Sequence, residues 1–166
     1  MSELPIRPES TPPKAETGRK DVIVKHLSGN EDLTQAFDVR RTVFHDEQGI
    51  SEEDDFDGLD IQADHFIAFD GDKPVGTARV RYIDGKAKVE RVAVLKPSRG
   101  KGVGEEMMRD ILDFIAKNGI NEVYLDSQTS ASRLYEKVGF VKEGEEFEEV
   151  GIPHVKMVAK LDEKSS

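Results

Sequence analysis

Glycines and basic residues alternate over one short segment of the chain, residues 98–104. The segment reads Ser-Arg-Gly-Lys-Gly-Val-Gly, with Arg99 and Lys101 among its glycines. Glycine lets the backbone take positive φ angles and approach a ligand closely, so that successive N–H groups can point at one anion. Arg99 and Lys101 add positive charge where that anion would lie. The segment therefore predicts a phosphate or diphosphate site, with a flexible turn as the alternative.

Two common phosphate-binding patterns do not fit this segment. A dinucleotide fingerprint needs glycine or alanine at its sixth position, and counting from Gly100 or Gly102 that position holds Glu105 or Met107. A nucleoside-triphosphate loop needs Gly-Lys-Ser or Gly-Lys-Thr, and the chain contains neither. The spacing that remains is Arg-x-x-Gly-x-Gly over residues 99–104, preceded by Val-x-Val over residues 92–94.

The hydrophobic pattern predicts the elements that must hold this segment. β-Branched residues and two-residue alternation predict strands at 22–27, 64–70, 75–83, 86–94, 122–126, 140–141 and 154–161. Apolar residues three and four apart predict helices between 30 and 49, from 103 to 118 and from 131 to 138. The acidic stretch 51–60 is predicted to be a loop. The order β-α-β-β-β-α-β-α-β-β predicts an α/β protein with a mixed sheet and helices on its faces.

Length and charge limit the kinds of protein that this chain can be. The 166 residues suit one domain, and the net charge of −10 argues against a nucleic-acid partner, because phosphate backbones repel an acidic surface. The absence of cysteine excludes thiol nucleophiles, disulfides and cysteine-ligated metals. No apolar run approaches the ~20 residues of a membrane span, and the start lacks the pattern of a secretory signal. We therefore expect a cytoplasmic protein without a membrane partner.

The two ends of the chain differ in composition from its middle. Residues 1–20 are rich in proline, serine, threonine and charged residues, which cannot bury enough surface to offset the entropy of ordering. We predict a flexible N-terminal tail there, with a docked arm as the alternative. A single domain is predicted at 21–162 and a short C-terminal tail at 163–166.

Two motifs, in the same order along the chain, resemble those of the GCN5-related N-acetyltransferase (GNAT) superfamily. The segment 99–104 resembles its pyrophosphate motif, Gln/Arg-x-x-Gly-x-Gly/Ala after the fourth strand. The segment 131–140 resembles its Ala-x-x-Leu-Tyr-x-Lys-x-Gly-Phe. The resemblance spans residues 22–160 and narrows to the ElaA/YjcF-type branch through Arg-Thr-Val-Phe at 41–44 with Glu-Gln at 47–48, Ser-Gln-Thr at 127–129, and Glu-Phe at 146–147 before Gly-Ile-Pro-His at 151–154.

The resemblance implies a fold and a co-substrate. The GNAT fold is a single α/β domain whose mixed, mostly antiparallel sheet splays apart between strands 4 and 5 and is flanked by helices. Acetyl-coenzyme A would lie in that gap, with no metal, and strand 4 would pair with its pantetheine amides as an added strand does. Gln128, which replaces the asparagine common in the superfamily, matches a position near the pantetheine arm. The implied cofactor-binding residues are Val92, Ala93, Val94, Arg99, Gly100, Lys101, Gly102, Val103, Gly104, Gln128, Ser132 and Tyr135.

The chemistry that the resemblance implies is direct acyl transfer to an amine. A backbone N–H near Val92 would stabilise the oxyanion, and Tyr135 matches the tyrosine that protonates the leaving thiolate, or else packs under the cofactor. The acceptor ammonium, with a pKa near ~10.4, must first lose a proton. We predict Glu90 as the base, because a residue two before Val92 would share its face of the strand. An ion pair of Glu90 with Arg79 or Arg91 is the alternative.

Other assignments stay open from the sequence. His154 is a further catalytic candidate, because imidazole titrates near neutral pH, or else a structural residue after a proline turn. The acidic stretch 51–60 either rims the acceptor pocket and attracts a cationic amine or is a solvated loop. It does not fit a calcium loop, because the eighth and twelfth positions are Asp60 and Asp64.

Two other functions compete with an N-acetyltransferase. Residues 40–60 are also similar to acyl-homoserine-lactone synthases, which share a GNAT-like core and use S-adenosylmethionine as the amine. A non-catalytic module that senses acetyl-coenzyme A is the second alternative. The acceptor, a small-molecule or peptide amine, and the acyl chain length do not follow from the sequence. A homodimer is open, because a C-terminal strand often pairs across dimers in this superfamily.

Overall fold

A seven-stranded sheet forms the middle of the molecule. The computed structural model describes residues 22–161, so the predicted tails at 1–20 and 163–166 lie outside the described residues. The strands are β1 Val22–Ser28, β2 Asp64–Asp70, β3 Lys73–Ile83, β4 Lys86–Val94, β5 Glu122–Gln128, β6 Val141–Glu149 and β7 Ile152–Lys160. Their order in space is β1-β2-β3-β4-β5-β7-β6, and every neighbouring pair is antiparallel except β4 and β5. The predicted mixed, mostly antiparallel sheet is confirmed.

Helices cover both faces of the sheet. The helices are α1 Thr34–Arg40, which continues as a π-helix over Arg41–Glu47, α2 Glu52–Asp55, α3 Val103–Lys117 and α4 Ser132–Lys137. Short 3₁₀ turns lie at Asp60–Gln62, Lys96–Ser98 and Thr129–Ala131. The sequence predicted only a loop where α2 forms. Ser51 begins α2 as its N-cap by accepting a hydrogen bond from the Asp54 N–H at 3.1 Å, and four acidic residues follow, which the positive end of a helix favours.

The sheet separates a large core from a small one. On one face, which we call the α3 face, Met107, Ile111 and Ile115 of α3 are completely buried against the strands. On the other, the α1 face, Val43 and Phe44 form a small cluster with Ala93 of β4 and Val39. Burying a large apolar side chain contributes about 1.5–3 kcal/mol, so the α3 face provides most of the hydrophobic stabilisation.

The strands β4 and β5 pair only where they begin. Ala87 pairs with Val123 and Lys88 with Tyr124, and among the described residues no pair follows along these two strands. Each strand keeps its other neighbour, since β4 pairs with β3 up to Val94 and β5 pairs with β7 along its whole length. The sheet therefore splits between β4 and β5, as the predicted fold requires.

A β-bulge interrupts β4 beside this split. Arg91 and Val92 of β4 both lie opposite a single residue of β3, Ala78. Arg91 takes a φ of 54°, in the left-handed region that residues other than glycine rarely adopt. Bulges of this kind re-aim the backbone and occur often beside active sites.

The bulge reverses which side chains face the α3 core. Val89 contacts that core before the bulge, and Val92 and Val94 contact it after the bulge. Glu90, which follows Val89, therefore lies on the α1 face, opposite to the side chain of Val92. The expectation that Glu90 and Val92 share a face was wrong, because two-residue alternation holds only in a strand without a bulge.

Candidate active site

A cavity of about 620 Å³ occupies the split between β4 and β5. Gly104 and Tyr135 line it from the α3 face, where α3 and α4 lie. Gln48, at the end of the π-helix, and His154 of β7 line it from the α1 face. The cavity therefore passes through the sheet, so that two molecules entering from opposite faces would meet inside it.

The glycine segment forms the start of α3 and one wall of the cavity. Gly100 and Gly102 take φ angles of 76° and 87°, and Gly102 is the N-cap residue immediately before the first helical residue, Val103. The first helical hydrogen bond runs from the Glu106 N–H to the Gly102 carbonyl at 3.0 Å. The first N–H groups of a helix have no acceptor within the helix, so this end has the geometry of an anion site, and the phosphate site stays a prediction.

Arg99 is tied back to the protein. Its guanidinium forms two hydrogen bonds of 2.6 Å with the Glu47 carboxylate, and its Nε donates to the Val94 carbonyl at 2.9 Å. The hydrogen bonds from Arg99 lower the pKa of Glu47, so this carboxylate stays charged. Arg99 still lines the cavity, but its charge is balanced by Glu47.

Tyr135 lies deep in the cavity wall. It is 6% exposed and packs edge-to-face on Phe140, with ring centroids 6.0 Å apart. Burial raises the pKa of Tyr135 above its ordinary value, so the hydroxyl stays protonated at neutral pH. A buried, protonated phenol in the cavity can donate a proton or a hydrogen bond to a ligand.

His154 and Gln128 form the α1-face end of the cavity. They pair across β5 and β7, and the His154 ring stacks on Phe147 at 5.9 Å. His154 Nδ1 lies 2.7 Å from the Ile152 carbonyl, which can only accept, so Nδ1 carries a proton, and in a neutral ring the lone pair is then on Nε2. Gln128 Nε2 donates to Gln48 Oε1 at 2.9 Å, which joins β5 to the end of the π-helix.

Glu90 sits among cations. Its carboxylate lies 2.6 Å from Arg79, 2.8 Å from Arg81 and 3.3 Å from Lys88. Burial acts to raise the pKa of Glu90, but the hydrogen bonds from Arg81 and the charge of Arg79 outweigh it and lower that pKa to about 2. A carboxylate with so low a pKa binds a proton weakly. The geometry therefore favours the ion pair, the alternative that the sequence left open.

Buried arginines pair with half of the carboxylates in the acidic segment. Arg40 and Arg79 are each 1% exposed. Arg40 lies 3.0 Å from Asp55 and 2.8 Å from Asp60, and Arg79 lies 2.9 Å from Asp57 and 3.0 Å from Asp60. Three of its six carboxylates therefore neutralise buried guanidinium groups, while Glu52, Glu53 and Asp54 stay exposed and Asp54 lines the cavity.

Most of the predicted cofactor-binding residues line the cavity. Those present in its wall are Val92, Ala93, Val94, Arg99, Gly100, Gly102, Val103, Gly104, Gln128 and Tyr135. Lys101 is exposed and Ser132 is buried at the start of α4, and neither is part of the wall. Gln48, Asp126 and Val150 also line the cavity, and no site role was predicted for them from the sequence. Asp126 could have been found, since it is two residues before Gln128 on the same strand face.

The described residues, 22–161, lack two further kinds of feature. This part of the chain has no group of three histidine or acidic side chains that could hold a metal ion. Within the same residues, no helix is long and apolar enough to cross a membrane.

Known proteins share this sequence pattern and this fold. A sequence profile described as "Acetyltransferase (GNAT) domain" matches residues 41–161. The uncharacterized N-acetyltransferase YjcF of Bacillus subtilis (strain 168) is 40% identical over 140 residues, which cover 84% of this chain and 98% of that protein. The crystal structure of Escherichia coli ElaA has a TM-score of 0.75 at 27% identity, over 84% of this chain and 100% of that one.

A more distant structure shares the fold alone. A GNAT family acetyltransferase from Elizabethkingia anophelis, solved with acetyl-CoA bound, has a TM-score of 0.67 at 14% identity, over 86% of this chain and 99% of that one. The profile match and the identity to YjcF cover most of the chain, and the split sheet agrees with them. The chain therefore belongs to the GCN5-related N-acetyltransferase superfamily and, within it, to the branch of ElaA and YjcF.

Proposed function

We propose that this protein is an N-acetyltransferase that transfers the acetyl group of acetyl-coenzyme A directly to an amine. The observation that carries the proposal is the cavity through the split sheet, which joins the glycine segment at the start of α3 to the α1 face. A thioester entering from one face and an amine entering from the other would meet beside Tyr135. The relative from Elizabethkingia anophelis, which has the same fold, was solved with acetyl-CoA bound.

Backbone groups carry the donor half of this proposal. The first N–H groups of α3 would bind the diphosphate, and each hydrogen bond to a charged oxygen contributes about 1.5–3 kcal/mol. Beyond Lys88 the edge of β4 has no partner in β5, so the backbone near Val92 and Ala93 would pair with the pantetheine amides. The Val94 carbonyl already accepts from Arg99, which leaves it less available.

Side chains carry the chemical half. The amine nitrogen bonds to the thioester carbonyl carbon, the carbon–sulfur bond breaks, and its electron pair goes to sulfur. Tyr135 would give the sulfur a proton, and a backbone N–H at the bulge near Val92 would stabilise the oxyanion. His154 would accept the proton of the amine, because Nε2 of its neutral ring carries a lone pair and Glu90 is held by cations. Glu90 would then position Arg79 and Arg81.

Calorimetry with coenzyme A, followed by a thiol-release screen of acetyl-CoA against an amine library, tests the function. We expect saturable binding at one site per chain and turnover with at least one amine. If folded protein binds neither coenzyme A nor acetyl-CoA, the proposal is wrong. Binding without turnover of any amine would instead identify a sensor module. Acyl-homoserine lactone formed from S-adenosylmethionine, detected by mass spectrometry, would identify the synthase.

A further inference from the structure

The turn between β6 and β7 contains a residue that does not suit it. Glu149 pairs with Ile152, so Val150 and Gly151 alone form the turn, and their φ angles are 47° and 76°. A two-residue turn with both φ angles positive prefers asparagine, aspartate or glycine at its first position. Valine is β-branched, and its side chain makes the left-handed conformation a strained one.

The same chain builds an equivalent turn with a suitable residue. Between β3 and β4, Ile83 pairs with Lys86, and the turn residues Asp84 and Gly85 have φ angles of 52° and 81°. The two turns share length and backbone conformation and differ in the first residue. The turn geometry therefore does not require valine at position 150.

Packing within the chain does not explain Val150 either. The residue is 47% exposed and belongs to neither hydrophobic core. It does line the cavity, close in sequence to His154, and Ile50 at the end of the α1 segment lines the same cavity. The Val150 side chain, on a strained backbone position, is therefore placed to contact a molecule bound in the cavity.

We propose that Val150 is a specificity-determining residue that forms an apolar wall of the acceptor pocket. The acceptor is then a primary amine on an apolar body, aromatic or branched aliphatic. Phe44 and Ile50 supply further apolar lining, and Asp54 and Glu149, which also line the cavity, would attract the ammonium group. This inference rests on the proposed function and deepens it, because it names the class of amine.

Reciprocal substitutions separate the strain from the recognition. Val150→Asn replaces valine with a residue that tolerates positive φ, and we expect its Tm to rise by about 2–4 °C. Asp84→Val introduces the same strain at the matched turn, so its Tm should fall by a similar amount with no change in amine selectivity. If Val150→Asn does not raise the Tm, the strain argument is wrong.

Thiol release from acetyl-CoA with phenethylamine, isopentylamine and putrescine tests the recognition. We expect the wild-type protein to prefer the two apolar amines, and Val150→Asn to lower kcat/KM for them about tenfold, mainly through KM. For putrescine the change should stay below about twofold. Equal losses for all three amines, or no loss, would overturn the proposal. So would a change of oligomeric state in light scattering without a change in selectivity, because Val150 would then belong to an interface.

A binding measurement distinguishes a failure of this inference from a failure of the proposed function. Saturation-transfer NMR detects phenethylamine bound to the wild-type protein with coenzyme A present, whether or not the amine is acetylated. We expect a clear transfer signal that weakens in Val150→Asn and not in Asp84→Val. If no saturation is transferred to phenethylamine, the inference is wrong, even if coenzyme A binds and another amine is acetylated.

Discussion

Burial keeps the hydroxyl of Tyr135 protonated, so that it can act as a proton donor. Removing its hydroxyl in Tyr135→Phe keeps the packing against Phe140 and takes away the proposed proton donor. We expect kcat to fall about 10²-fold or more, while the Kd for coenzyme A from calorimetry stays unchanged. Tyr124→Phe is the matched control, since Tyr124 does not line the cavity, and it should keep full turnover. Normal turnover in Tyr135→Phe would leave Tyr135 with a packing role only.

The contrast between His154 and Glu90 distinguishes a base from a positioning residue. His154→Gln should lower kcat about 10²-fold with an amine found in the screen, because the proton acceptor is lost. Glu90→Gln should keep kcat within about threefold but lower the free energy of unfolding, since buried Arg79 loses one of its three charged partners. Initial rates and urea unfolding of both variants measure this. A large loss of kcat in Glu90→Gln with little loss in His154→Gln would instead identify Glu90 as the base.

Single residues could be predicted where a local motif holds them. The glycines at 100 and 102 have the positive φ angles that their type suggests, and Tyr135 lies in the cavity. The contact of Arg99 with Glu47 joins residues 52 positions apart, and no local pattern encodes it. The face of Glu90 could not be read from alternation either, because the bulge at Arg91 depends on how β3 pairs with β4.

The orientation of the first N–H groups of α3 depends on the backbone conformation of one residue, Gly102. Gly102 has a φ of 87°, and an alanine there would strain the turn that aims the N–H groups. We expect Gly102→Ala to weaken coenzyme A binding about tenfold. Gly104 does not have a positive φ, and an added Cβ would lie 3.2 Å from the flexible end of Leu134. Gly104→Ala is therefore the control, and calorimetry should give it nearly the wild-type Kd. Equal affinity in both variants would contradict the proposed anion site.

Helices and strands whose apolar residues recur at a regular spacing were predicted well from the sequence. The alternation over 86–94 and the apolar spacing over 103–118 gave β4 and α3 close to their observed bounds. The helix α2 was missed, because its four acidic residues carry no apolar period and it is held by a serine cap and by Asp55 pairing with Arg40. The π-helix was also missed, since its apolar spacing resembles that of an α-helix.

The ion pairs on the α1 face connect distant parts of the whole molecule. Arg40 of α1, Arg79 of β3 and Arg91 of β4 all contact the acidic segment, over sequence separations from 15 to 37 residues. A sequence shows that acidic and basic residues are present but not which of them pair over such distances. This face depends on charge where the α3 face depends on apolar burial, so acid should affect it first.

Acidification is the last test of that view. Paired cations lower the pKa of Glu90 from an ordinary 4.5 to about 2 and also lower the pKa values of Asp57 and Asp60. A group whose pKa is lowered on folding stabilises the protein at pH values above its ordinary pKa, and this stabilisation is lost as the pH falls toward the lowered pKa. For Glu90 alone the stabilisation is about 3 kcal/mol. The free energy of unfolding in urea should therefore fall between pH 5 and pH 2 on the order of this amount or more. Glu90→Gln should flatten that fall, whereas Asp113→Asn, which removes an exposed pair with Lys117, should leave it unchanged. A stability that does not change over this pH range would mean that these ion pairs do not hold the α1 face together.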